Sequence, residues 1–261
     1  MKKQLQKIIG NKSYAKLENF KKQFLPTDYD IEQQMFLKDQ MRFYATLIKP
    51  NELCFDIGGN VGFKTNVFLQ LGARVVTLEP QQACVTILKA KYGKKATILQ
   101  KGAGAVNEVK DFYVSNNPAV SSFKKDWVDE FKDSRFPGSS IEAIEKIEIV
   151  TLDSLIDFYG KPDFIKIDVE GFEMEVFRGL SRSFGYLSFE YAVPEKLQDV
   201  TEILKHLQGK YSNLSCNYAI CNDCVFALQA WIPLVEMLKY VQQDEYFNST
   251  FAGDIYVKTE S

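Results

Sequence analysis

The residues of this chain best placed to do chemistry are acids and glycines that close apolar runs. Leu53-Cys54-Phe55-Asp56-Ile57-Gly58-Gly59-Asn60-Val61-Gly62 reads as an apolar strand entering a glycine-rich turn and then a helix. Glu79 ends the next apolar run, Val75-Val76-Thr77-Leu78, 21 positions after Gly58. In an open α/β sheet, ligands bind beyond the carboxyl ends of the strands. Glycines let the backbone come close there, and an acid on the following strand can accept hydrogen bonds from both hydroxyls of a ribose. The spacing therefore points to a ligand of adenosine type. It does not suit a dinucleotide, because a G-x-G-x-x-G count from Gly58 meets Asn60 and Phe63 in place of the second and third glycines. An Asp-x-Gly-x-Asn-x-Gly turn, with Asp56 just ahead of its first glycine, suits a ligand that carries an amino group and a sulfonium. S-adenosylmethionine is such a ligand. The same residues also describe an ordinary strand-to-helix turn with an Asn cap.

A second set lies in Phe164-Ile165-Lys166-Ile167-Asp168-Val169-Glu170-Gly171-Phe172-Glu173. Side chains alternate along a strand, so Lys166, Asp168 and Glu170 share one side while the chain stays extended, and the two acids fall at its carboxyl end. Lys166 sits deeper in an apolar run and needs a carboxylate, since an unpaired buried charge is costly. Asp168 or Asp153 could supply it, leaving Glu170 to cap the next helix. Glu190 ends Ser188-Phe189-Glu190, so three carboxylates can converge to hold a metal or orient a substrate hydroxyl. In Thr151-Leu152-Asp153-Ser154-Leu155 the acid reads equally as a helix cap. Cys216, Cys221 and Cys224 do not match a usual zinc spacing and read as structural thiols. His206, the only histidine, lies far from any strand end and reads as a surface residue.

The elements that must position these residues follow a β-α rhythm. Two helices fill the first fifty residues, the second from about 31 to 48. Strands are expected at 53–57, 74–78, 96–100, 163–169 and 186–191, separated by helices at 61–71, 81–92, 172–180 and 194–207. That order means a mostly parallel sheet with helices on both faces. Residues 106–149 break the rhythm as an insertion, with a strand at 109–114, a turn at Asn116-Asn117-Pro118, a short helix at 126–133 and a loop at 134–140. Further strands are expected near 211–218, 224–228 and 254–258, in an order the pattern leaves open. The division expected is a helical extension over 1–50 and one ligand-binding domain over 51–261.

Bulk properties narrow the class. The chain has 261 residues, 46% apolar and 25% charged, and a net charge of −2, with a pI near 5.7. These are the values of an ordinary globular protein without the positive field that nucleic-acid binding usually needs. No apolar stretch is long enough to span a bilayer, the start has no signal-peptide pattern, and five cysteines without framework spacing fit a reducing compartment. A cytoplasmic location is expected. Residues 1–25 hold seven lysines against Glu18. Such a run usually lines the solvated side of a packed helix, and peripheral contact with an anionic membrane is the alternative.

The chain resembles the FkbM family of S-adenosylmethionine-dependent methyltransferases. The resemblance rests on Phe55 to Gly62, Glu79-Pro80, Thr151 to Leu155 and above all Asp163 to Gly171, in the right order over about residues 50–192. It implies a class I methyltransferase fold, a seven-stranded sheet with one antiparallel strand, and O-methylation of a sugar, glycolipid or polyketide hydroxyl. It also implies that Asp56, Gly58, Asn60 and Gly62 surround the methionine part of the cofactor. Glu79 would hold the ribose, and Gly102 and Ala103 would lie near the adenine. Asp168, Glu170 and Glu190 are then the candidates to orient the acceptor or take its proton. Phe172 stands where relatives often carry histidine. Two rivals remain: a binding protein that keeps the pocket without turnover, and a nucleic-acid methyltransferase. The second would need an Asn/Asp-Pro-Pro-aromatic loop that Asn117-Pro118-Ala119 does not supply.

Overall fold

The computed structural model describes residues 28–117, 120–127, 137–221 and 223–260. The basic helix read over residues 1–25, most of the helix read at 126–133, the start of the loop at 134–140, and Pro118-Ala119 lie outside the described residues.

Eight strands form the main sheet. In sheet order they run from β3 (Thr97–Leu99) through β2 (Arg74–Leu78), β1 (Leu53–Ile57), β7 (Phe164–Ile167), β8 (Tyr186–Ala192), β11 (Ala252–Thr259) and β9 (Leu214–Ile220) to β10 (Ile232–Pro233). The first five are mutually parallel, whereas β11 is antiparallel to both β8 and β9, and the short β10 is antiparallel to β9. The sheet thus has one strand more than the resemblance implied, a two-residue edge. Cys224 to Leu228, expected as a strand, is bend and irregular chain instead. The backbone there folds back, with Asn217 holding the Leu228 amide and carbonyl.

Both faces of the sheet are covered, which is why its central strands read as unbroken apolar runs. One face packs under α1 (Asp28–Tyr44) and α2 (Phe63–Gln70), where Phe43, Tyr44, Phe68, Phe164 and Tyr256 form an aromatic cluster. The other face carries the larger core, from Phe55 and Ile165 to Phe189 and Val257, beneath α4 (Leu152–Tyr159), α5 (Glu173–Arg178), α6 (Leu197–Lys210) and α7 (Leu234–Gln243). α3 (Gln82–Tyr92) joins β2 to β3, and α8 (Glu245–Asn248) leads into β11.

A second sheet places β4 (Gly102–Ala103) beside β6 (Ile141–Val150), and β6 beside β5 (Glu108–Ser115). β6 is not among the strands expected from the sequence. Its residues from Ile141 to Lys146 are mostly half-buried or exposed, so the alternation on which a strand is read is diluted by Glu and Lys. β4 puts Gly102 and Ala103 in a strand of the small sheet, where both are buried.

Candidate functional site

The parallel register brings the ends of β1, β2 and β7 to one edge. Asp56 sits opposite Thr77 on one side and Lys166 on the other. Two residues further on, Gly58 meets the Asp168 backbone so closely that a Cβ there would lie 1.7 Å from the Asp168 carbonyl oxygen. Gly58 also takes φ +88°, a left-handed conformation, so the turn needs glycine on two independent grounds. Asn60 follows in a left-handed conformation of its own. Gly62 caps α2 at φ +91°, against Leu88 and Tyr92.

A cleft of about 560 Å³, counted out to its open mouth, lies over this turn. Gly58, Asn60, Glu79, Gly102, Ala103, Asp168 and Glu170 line it, joined by Ser121 and by Gln81, Phe112 and Phe123, which no sequence signal singled out. Phe112 and Phe123 pack with ring centres 4.7 Å apart and planes tilted by 60°, and Ser121 Oγ donates to the Gln81 side-chain oxygen at 3.2 Å. The inserted hairpin therefore supplies one wall. These residues carry no pattern that ties them to a strand end, so only the folding of the hairpin over β4 reveals them.

Glu79 is almost fully buried. Its carboxylate accepts the Asn60 amide at 2.7 Å and the Gln81 amide at 2.8 Å. Burial nevertheless outweighs those bonds and pushes its carboxyl up to about 7. A carboxylate has more acceptor positions than these two amides occupy, so it can also take ribose hydroxyls. Asp56 and Gly62 do not line the cleft. Asp56 lies beneath it, accepting Thr65 Oγ1 at 2.5 Å, and burial raises its carboxyl. The two residues support the turn from below.

At the far end of the cleft stand the acids of β7 and β8. Asp168, Glu170 and Glu190 bring one oxygen each within 4.8 Å of the others. Asp168 follows β7 directly, and the register sets Lys166 opposite Ser188, hence Asp168 toward Glu190. β7 ends at Ile167, two residues before the strand end expected at 169. Glu170 reaches the cluster from a left-handed backbone, φ +52°, with its carbonyl held by Ser122 Oγ at 2.7 Å. Burial first, then Glu190 and Asp168, raises the Glu170 carboxyl well above the usual range. Burial and Asp168 do the same for Glu190. Both carboxyls therefore bind a proton more tightly than an exposed glutamate does.

Lys166 does find its carboxylate, and two of them: Asp168 at 3.3 Å and Asp254 at 2.9 Å. Burial works to strip its proton, but these two acids outweigh it and hold the ammonium charged. Asp254 was missed in the sequence. It sits opposite Glu190 on β11, and that pairing follows from strand order, which no local pattern records. Asp153, the other suggested partner, instead accepts the Ser181 and Arg182 amides at 2.7 and 2.9 Å. Nor does it cap its own helix: Thr151 Oγ1 accepts the Ser154 amide at 3.0 Å. Glu170 does not cap the next helix either: its N-cap, Phe172, makes no side-chain cap bond, and Glu173 accepts the Val169 and Gly171 amides of the turn ahead of it. Phe172 packs against Phe123 with ring centres 5.3 Å apart. His206 meets the Phe177 carbonyl at 3.1 Å, half-buried on α6.

A second cleft of about 720 Å³, again counted to its mouth, shares Asp168 with the first. Asp168, Lys166, Glu190 and Asp254 form its floor, and α1, the start of α2 and the ends of β9 and β11 form its walls. No helix among the described residues is long and apolar enough to cross a membrane.

Solved structures share the general architecture at low identity. A TehB-like SAM-dependent methyltransferase from Corynebacterium glutamicum matches with a TM-score of 0.44 and 10% identity, over 96% of this chain and 97% of that one. An rRNA methylase from Streptococcus thermophilus matches at 0.45 and 8%, over 91% and 99%. The plantazolicin methyltransferase BpumL, solved with a triazolic desmethylPZN analog and SAH, matches at 0.42 and 10%, over 98% and 94%. No curated protein sequence matches the chain. The model of the methyltransferase FkbM domain matches residues 56–220. That is well over half of the chain, which therefore belongs to the FkbM methyltransferase family and uses S-adenosylmethionine as its cofactor.

Proposed function

We propose that the chain transfers a methyl group from S-adenosylmethionine to a hydroxyl of a sugar, a glycan or glycolipid, or a related small natural product. The observation that carries this reading is the meeting of the two clefts at Asp168, one built for a nucleoside and the other open to an acceptor. The first cleft fits the cofactor by its donors and its shape. Glu79 takes the two ribose hydroxyls. Gly102 and Ala103, with Phe112 and Phe123, form an apolar slot for the adenine, and Gly58 and Asn60 approach the amino-acid part. The cofactor supplies a methyl group on a cationic sulfur.

The chain's own residues have two tasks. They must hold the acceptor oxygen in line with that methyl group, and they must receive the proton the hydroxyl gives up. Asp168, placed by its ion pair with Lys166, orients the hydroxyl. Glu170 and Glu190 are the proton acceptors, because a carboxylate with a raised pKa is the stronger base. The negative cluster also speaks against a nucleic-acid backbone as acceptor.

Replacing Asp168 with Asn keeps its shape and removes its charge. Turnover should fall about 10²- to 10⁴-fold, measured by label transfer from S-adenosylmethionine, while calorimetric affinity for S-adenosylhomocysteine holds and NAD gives no heat. Unchanged turnover would remove Asp168 from the chemistry. Strong cofactor binding without transfer to any hydroxyl would favour a binding protein.

A further inference from the structure

We propose that the second cleft is the acceptor site, that it takes a neutral, hydroxyl-rich ring such as a hexose unit, and that much of its selectivity is set by segments outside the family domain. This rests on the hydroxyl-methyltransferase reading above and gives it a place and a chemistry.

The placement follows from the shared lining: Asp168 borders both clefts, so an acceptor lying in the second meets the cofactor cleft at that residue, and transfer needs the two reactants side by side. The chemistry follows from the walls. Phe36 on α1 and Phe63 at the start of α2 stack with ring centres 5.3 Å apart and planes 21° from parallel. Both are half-buried, and both line the cleft. Such a flat apolar face suits the C–H side of a sugar ring. Opposite it, Glu190 and the exposed Asp223 offer acceptors for hydroxyl groups. Gln40 is already committed: it accepts Lys64 Nζ and donates to Cys224 Sγ at 3.2 Å.

Charge decides against an anionic acceptor. Four acids, Asp168, Glu190, Asp223 and Asp254, line this cleft against two lysines, and Lys166 is consumed by Asp168 and Asp254. Lys64 is left, held by Gln40 and lying 4.8 Å from the centre of the Tyr44 ring. A phosphorylated sugar or a nucleic acid would meet an excess of negative charge at close range. A neutral polyol would meet hydrogen-bond acceptors and an aromatic plate.

Position in the chain decides where selectivity lies. The family domain spans residues 56–220, yet Phe36, Asp223 and Asp254 lie outside it. The domain supplies the cofactor cleft and the acids of β7 and β8, whereas α1 and the C-terminal strands shape the acceptor cleft.

The test uses the full chain and three measurements. Label transfer from S-adenosylmethionine is followed on a panel of neutral mono- and oligosaccharides, the matching sugar phosphates and a short RNA. The KM for any accepted sugar is then compared between wild type and Phe36→Ala. Last, alkylation of Cys221 by N-ethylmaleimide is followed by peptide mass mapping with S-adenosylhomocysteine bound, because this exposed thiol lines the second cleft. We expect transfer to a neutral sugar and a KM about tenfold higher in Phe36→Ala, with S-adenosylhomocysteine affinity unchanged. The accepted sugar should slow Cys221 alkylation. A sugar that is methylated but neither responds to Phe36→Ala nor protects Cys221 would overturn the cleft assignment and leave the methyltransferase reading standing. Transfer to a sugar phosphate or RNA in preference to the neutral sugars would overturn the acceptor class. No transfer to any hydroxyl on the panel, with no protection of Cys221, would overturn both.

Discussion

Glu79 is under two opposing demands, and its pH behaviour exposes them. Burial favours its protonated form, while the amides of Asn60 and Gln81 favour the carboxylate. Burial wins, so the folded state holds the proton up to a pH of about 7, well above the ordinary Glu value of about 4.3. The sign follows: an acid whose pKa rises on folding adds stability at low pH and loses it as pH climbs through the folded value. The contribution amounts to at most about 3 kcal/mol over that interval. In the ribose-holding role proposed for Glu79, the hydroxyls would donate to the ionised form, and cofactor binding would release the proton. Affinity for S-adenosylhomocysteine should therefore rise about tenfold between pH 6 and pH 8, and Glu79→Gln should remove that step. Calorimetry at the two pH values, with the variant as reference, reads the difference. At the same scale, Glu79 and Asp168 fall just past the ends of β2 and β7, where spacing alone puts an acid, whereas Glu170 reaches the cluster from a left-handed turn and Glu190 from within β8. Asp254 was not legible in the sequence. Its role comes from lying beside Glu190 and within reach of Lys166, 88 positions away in sequence.

At the scale of elements, the turn between β1 and α2 holds the site together. It fixes the distance between two parallel strands, because the Gly58 α-carbon faces the Asp168 carbonyl with no room for a side chain. Gly138 makes a useful comparison. It also has a positive φ, +82°, but among the described residues nothing lies within 4 Å of the place a Cβ would take. Gly138→Ala should cost only the left-handed backbone penalty, about 1–2 kcal/mol. Gly58→Ala carries that penalty and must also push β1 from β7, so its loss of thermal stability should be clearly larger. It should also abolish S-adenosylhomocysteine binding, and calorimetry beside a melting curve separates the two effects. The rhythm of β1 to β3 and of β7 and β8 could be read because helix and strand periods differ locally. β6 was missed because its charged, solvent-facing residues hide a strand that exists only by pairing with β5.

For the whole molecule, the two faces of the main sheet separate groups that the sequence sets side by side. Cys216 is buried in the core beneath α6 and α7, whereas Cys224 packs with Phe226 and Trp231 against the α1 face. Their sulfurs therefore face opposite ways across the sheet, and no tetrahedral zinc site can join them. Metal analysis of the pure protein should find no stoichiometric zinc. Thiol titration of the native protein should detect Cys221 first, and all five thiols only after unfolding; zinc lost on replacing Cys221 and Cys224 would contradict this. The same layering explains what could be known early. The amino-acid sequence alone determined the alternating α/β class, the nucleoside-type cleft and the acids at the strand ends, because each depends on spacing within a few turns of chain. Tertiary structure alone decided which acids meet, which wall the inserted hairpin supplies and where an acceptor can enter. Those depend on β11 entering the sheet between β8 and β9 and on α1 covering one face, and both are contacts between distant parts of the chain that no local period encodes.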